Sequence, residues 1–84
     1  MSKDQLLDDS ILIYPNPASN MINIELKEGI LKAASVYDLH GRLLNHQIAN
    51  SNMLTLTMNH LNAGIYLVRV QTQNRFAIKK IIKK

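Results

Sequence analysis

Apolar residues recur at every second position in short runs along this chain, and residues that favour turns separate the runs. Met21 to Leu26 alternates cleanly, with Ile22, Ile24 and Leu26 on one side and Asn23 and Glu25 on the other. Gly64 to Thr72 alternates most strongly: Tyr66, Val68 and Val70 share one face, and Ile65, Leu67 and Arg69 the other. A period of two is that of a half-buried β-strand, because successive Cβ atoms point to opposite faces of a sheet. The same reading predicts strands over Ile11 to Tyr14, Ala33 to Tyr37 (Ala34 and Val36 inward), Arg42 to Gln47, Met53 to Met58 (Leu54, Leu56 and Met58 together) and Arg75 to Ile82. Gly29, Asp38-Leu39-His40-Gly41, Asn50-Ser51-Asn52 and Gln73-Asn74 supply turns between them. Short strands separated by turn signals at this spacing predict an all-β fold, a small immunoglobulin-like antiparallel β-sandwich of about seven strands. Residues 1–10 are polar and show little periodicity, so they read as a linker preceding one domain over residues 11–84.

Three local features refine the picture. Pro15-Asn16-Pro17 stops the first strand, since each proline fixes φ and removes a backbone donor. Asp38 and Gly41 fit a hairpin turn: the carboxylate accepts N–H groups two residues on, and the glycine adopts positive φ without strain. Leu61-Asn62-Ala63-Gly64-Ile65-Tyr66 fits a tyrosine corner, in which the Tyr66 hydroxyl bonds a backbone group a few residues upstream. All three are chiefly structural on this reading, while Arg42, just after its turn, is a candidate for surface contact.

Composition narrows the function. The chain has 84 residues, 46% of them apolar but only 5% aromatic, so one aliphatic core accounts for it. The net charge is +4, yet the acidic residues sit mostly before Gly29 and Lys79, Lys80, Lys83 and Lys84 cluster at the end. Basic residues interleaved with aromatics, the pattern of a nucleic-acid binder, are missing. With no cysteine there is neither a disulfide framework nor a thiolate metal site. No apolar run approaches a membrane span, and Asp4, Asp8 and Asp9 interrupt the N-terminal apolar residues where a signal peptide would need them unbroken. The chain therefore reads as a piece of a larger protein. His40, His46 and His60 fit no zinc spacing, and Ser10, Ser19, Ser35 and Ser51 stand in no nucleophile context. No catalytic site, metal or cofactor is expected. Tyr66 and Phe76 are expected in the core, which leaves too few aromatics for the platform of the alternative reading, an adhesive or carbohydrate-binding sandwich.

Taken together, three blocks resemble the type A C-terminal sorting domains of the type IX (Por) secretion system. They are Ile13-Tyr14-Pro15-Asn16-Pro17-Ala18 with Ile22-Asn23-Ile24, then Val36-Tyr37-Asp38-Leu39-His40-Gly41-Arg42-Leu43-Leu44, then Leu61 to Val70 with the closing Lys79-Lys80-Ile81-Ile82-Lys83-Lys84. The resemblance covers the chain from about Ile11 onward. It implies a domain that directs an N-terminal cargo, absent from this chain, from the periplasm of a Gram-negative bacterium of the Bacteroidota to the cell surface or beyond. It also implies two partners, the type IX translocon and a cell-surface sortase-like peptidase that cleaves upstream of Ile11.

A sorting signal shared by unrelated cargoes must lie on the domain itself. The edges of a sandwich offer unpaired backbone groups to which a partner, or a second copy of the chain, adds a strand. The last strand, Arg75 to Lys84, joins such an edge to four lysines. Lys79, Lys80, Ile81, Ile82, Lys83, Lys84 and Arg42 are accordingly the expected translocon contacts. Pro15, Asn16, Pro17, Asp38, Gly41, Gly64 and Tyr66 are expected to serve mainly the fold.

Overall fold

A computed structural model describes residues 11–73 and 75–84. The predicted linker at 1–10 and the Asn74 half of the Gln73-Asn74 turn lie outside the described residues. Seven strands run β1 (Ile11–Tyr14), β2 (Met21–Leu26), β3 (Leu31–Tyr37), β4 (Leu43–Ser51), β5 (Met53–Thr57), β6 (Gly64–Gln71) and β7 (Phe76–Lys83). They form a three-stranded sheet in the order β1-β2-β5 and a four-stranded sheet in the order β4-β3-β6-β7. All neighbours are antiparallel. The chain changes sheet at β2 to β3, β4 to β5 and β5 to β6, so the two layers cannot separate without breaking several connections. This is the expected sandwich of about seven strands, and among the described residues no helix is long and apolar enough to cross a membrane.

The alternation read from the sequence sets what is buried. Ile22, Ile24 and Leu26 of β2 and Leu56 of β5 face Ala34 and Val36 of β3, Val68 and Val70 of β6, and Ala77 and Ile81 of β7; all are at most 1% exposed. Each large aliphatic side chain so buried contributes roughly 1.5–3 kcal/mol, and β-branched chains dominate because they pack well on a pleated surface. Tyr66 joins this core, as expected. Phe76 does not: it lies half-buried on the outer face of the four-stranded sheet, under the Arg69 guanidinium at 4.6 Å from its ring centroid.

β5 and β6 differ from the sequence reading by one residue at one end, β7 by one residue at each end, and β3 and β4 by more. β3 begins at Leu31 instead of Ala33, because a register shift between Leu31 and Ala33 turns Leu31 inward, where it is fully buried. β4 runs from Leu43 to Ser51 instead of Arg42 to Gln47, so the expected turn Asn50-Ser51-Asn52 shrinks to Asn52. Asn50 and Ser51 look like turn residues, but each has a strand role. Ser51 pairs with Leu31, its Oγ accepts the Met53 N–H at 3.1 Å, and Asn50 Oδ1 accepts the Lys32 ammonium at 3.2 Å.

Candidate recognition site

The β3–β4 turn is organised by one carboxylate. Asp38 Oδ1 accepts the backbone N–H groups of His40 at 2.9 Å and Arg42 at 3.0 Å, and Oδ2 accepts the Arg42 Nε–H at 2.7 Å. The Arg42 backbone N–H, more than any other group, holds the Asp38 carboxyl below its ordinary pKa; the Arg42 side chain and the His40 N–H add to it against a smaller opposing effect of desolvation. Gly41, at φ +85°, closes the turn. A β-carbon there would meet nothing within 4 Å, so the demand for glycine is purely one of backbone conformation.

Across from this turn stands the tyrosine corner. The Tyr66 hydroxyl donates to the Asn62 carbonyl at 2.6 Å, as the sequence predicts, and fixes the loop between β5 and β6. Turn and corner border an open cleft of about 390 Å³ whose rim carries His40, Arg42 and His60. The second and third motif blocks thus meet in space.

The first block meets the last strand. β7 is an edge strand, hydrogen-bonded to β6 on one side only. Along its other side lies the Pro15–Ala18 segment, which follows β1 and has both X–Pro peptides cis. Ala18, fully buried, donates its N–H to the Ile82 carbonyl at 2.7 Å and accepts the Lys84 N–H at 2.9 Å, forming a parallel bridge to Lys83. Asn16 Oδ1 accepts the Ile82 N–H at 3.2 Å. Pro15-Asn16-Pro17 therefore does more than end β1; it places a clamp on the far end of β7.

The expected contact residues are distributed unevenly. Period-two alternation splits each lysine pair: Lys79 and Lys83, half-buried, fall with the core residues Ala77 and Ile81, whereas Lys80 falls with Ile78 and Ile82 on the outer face. Ile81 is 1% exposed and serves by anchoring β7, not by presenting a side chain. Arg42 is well exposed but lies at the β4 end of the four-stranded sheet, three strands from β7 and so on the order of 14 Å away in the sheet plane. Lysines and arginine do not form one patch.

Cross-strand register shows what the outer face of this sheet carries. One row across it is Leu43, Tyr37, Leu67 and Lys80; the next is His46, Ser35, Arg69 and Ile78; the third is Ile48, Ala33, Gln71 and Phe76. Leu43, Ile48, Ile65, Ile78 and Ile82 are all exposed here, and the rows contain cations but no carboxylate. Ser35, 5% exposed, is covered by its neighbours, and its Oγ lies 2.8 Å from His46 Nδ1. That contact is invisible in sequence without the β3–β4 register. The splitting of the lysine pairs, by contrast, was available from period two alone.

Among the described residues no group of His, Asp and Glu side chains stands close enough together to hold a metal ion, and no nucleophile is aligned with a base and an orienting carboxylate. What the described residues bring together is an edge, a clamp and an apolar, cationic face on a β-sandwich. The particular kind follows from comparison with known proteins: residues 12–84 match the family of secretion system C-terminal sorting domains, and the chain belongs to that family. These are the sorting signals of the Por, or type IX, secretion system, which mediate the translocation of a cargo protein from the periplasm to the cell surface in Gram-negative bacteria.

Among curated proteins, the chain is 24% identical over 86 residues to an endo-acting ulvan lyase of Formosa agariphila; the match takes in 99% of this chain and spans only 17% of that protein's length. Among solved structures it is similar to PorZ of Porphyromonas gingivalis, an essential surface component of the type IX secretion system, with a TM-score of 0.70 and 18% identity over 99% of this chain and 12% of PorZ. The sulfur carrier protein SoxY of Chlorobium limicola is also similar in fold, with a TM-score of 0.56 and 14% identity over 89% of this chain and 77% of SoxY. At such identities these two structures support the sandwich fold alone.

Proposed function

We propose that residues 11–84 form the sorting domain of a longer exported protein, that residues 1–10 belong to the linker before it, and that the translocon reads the domain chiefly through β7. The observation that carries this reading is the position of β7: an edge strand tied to the first motif block, with Lys80, Ile82 and Lys84 exposed. Lys79, Lys80, Lys83 and Lys84 supply positive charge that favours an acidic translocon surface, and Ile82 supplies apolar area. Arg42 forms a separate contact at the other end of the sheet. A cell-surface sortase-like peptidase then removes the domain by cleaving upstream of Ile11.

The deciding experiment fuses a Sec signal and a fluorescent protein to residues 1–84, in hosts with and without a working type IX translocon. Surface or medium fluorescence that depends on the translocon supports the reading. A fusion that stays periplasmic in both hosts overturns it.

A further inference from the structure

We infer that a partner adds a strand to the Phe76–Lys80 half of β7, and that the incoming segment is extended and carries acidic side chains. This rests on the sorting reading and narrows it to one half of one strand. Backbone accounting carries it. Both the N–H and the C=O of Ile82 are taken by Asn16 and Ala18, so these groups face away from β6. In an antiparallel ladder the direction of the backbone groups alternates, which sends those of Ile78 and Lys80 the same way. Among the described residues nothing accepts or donates there. A row of unpaired edge groups is a template for another strand.

The clamp sets the limit of that template. Asn16 and Ala18 already occupy the edge from Ile82 to Lys84, so an added strand has room only up to the clamp. The clamp thereby limits where an added strand can lie at that end, which a uniform open edge would not do.

The chemistry of the occupant follows from what lies on either side. Inward, the open edge borders a groove of about 330 Å³ between β7 and β1, where Lys79, Lys80 and Asn16 stand beside Ile11, Ile13 and Ile81. Outward, an added strand would lie beside Lys80 and Ile78, with Arg69 opposite Ile78 and, among the described residues, no carboxylate in these rows. Acidic side chains are favoured there. A second copy of β7 is disfavoured, because it would bring lysines opposite lysines.

The test uses the fluorescent fusion in the translocon-competent host. Ile78→Pro and Lys80→Pro each remove an N–H that faces the open edge and makes no bond to β6, while Ile78→Ala and Lys80→Ala keep it. Both proline variants should cut export roughly ten-fold or more, and the alanine variants by no more than about three-fold, against unchanged melting of the purified domain. Proline variants that fold and export like the parent overturn the inference while leaving the sorting reading intact; a parent fusion that is not exported overturns the reading itself. If a proline variant fails to fold, Lys80→Glu serves: it should lower export several-fold, and unchanged export overturns the inference. A dimer of the purified domain in sedimentation that Ile78→Pro dissolves would assign the edge to a second copy and overturn the acidic partner.

Discussion

The side chain of Asn16 accepts the backbone N–H of Ile82, joining the loop after the first strand to the last strand across 66 positions of sequence. With the two Ala18 bonds beside it, this contact closes the domain at the place where its first and last described segments meet. Asn16→Ala leaves the Ile82 N–H without its acceptor. A lost hydrogen bond of this kind costs about 0.5–1.5 kcal/mol, and the Ile82 and Lys84 amides should exchange with solvent distinctly faster than in the parent. Hydrogen exchange followed by NMR checks this; unchanged protection at both amides would show that the Ala18 bridge suffices alone.

The tyrosine corner makes a sharper demand. Tyr66→Phe keeps the ring in the core but removes the donor to the Asn62 carbonyl. The expected loss is about 1–2 kcal/mol, or a fall in Tm of roughly 5–15 °C for a domain this small. Thermal unfolding by circular dichroism measures it directly. The location of the sheet signals should not change, since the fold does not depend on this bond.

Asp38 gives the domain a pH dependence of known sign. Its carboxyl is held below its ordinary value, first by the Arg42 N–H, so its contribution is fully present above the unfolded pKa and is lost as pH falls through the folded one. Asp38→Asn should therefore be less stable than the parent at neutral pH, and the gap should narrow as the solution is acidified below the ordinary carboxylate range. Parallel melts across pH test this, and a gap that stays constant in acid would assign the effect to lost geometry instead of charge.

Gly41→Ala isolates a backbone effect. The added methyl group meets no neighbour, so the whole cost comes from placing an L-residue at φ +85°. About 1–2 kcal/mol is expected, read from denaturant unfolding with an unchanged m-value. Asn at the same position tolerates this conformation better, so Gly41→Asn should recover part of the loss.

How much of this was legible beforehand depends on the kind of interaction. Strands such as β2 and β6 announce themselves because one face is buried and the other is not, and alternation records that difference directly. β4 is largely exposed, so its far half leaves no such record, and Asn50 and Ser51 read as a turn although both lie in the strand and Ser51 is paired with Leu31. Local devices were equally readable: Asp38 with Gly41, and Tyr66 with Asn62, act within a few residues. Contacts that need the topology were not. The meeting of Asn16 with Ile82, and of Ser35 with His46, requires knowing which strands are neighbours and in what register. Phe76 was expected inside on hydrophobicity alone, but its position in β7 is odd-one-out with Ala77 and Ile81, and an arginine covers it instead.

The clamp also has a mechanical side. Any load pulling on whatever precedes Ile11 enters the domain along β1 and reaches Pro15–Ala18 within a few residues of covalent chain. From there one route runs through the Asn16 and Ala18 hydrogen bonds into Ile82 and Lys84, beside the ladder that ties β1 to β2. Part of any tension at the leading end is thus carried to the trailing strand, and a drag that broke the three clamp bonds would expose more of the β7 edge while leaving the ladders of both sheets in place.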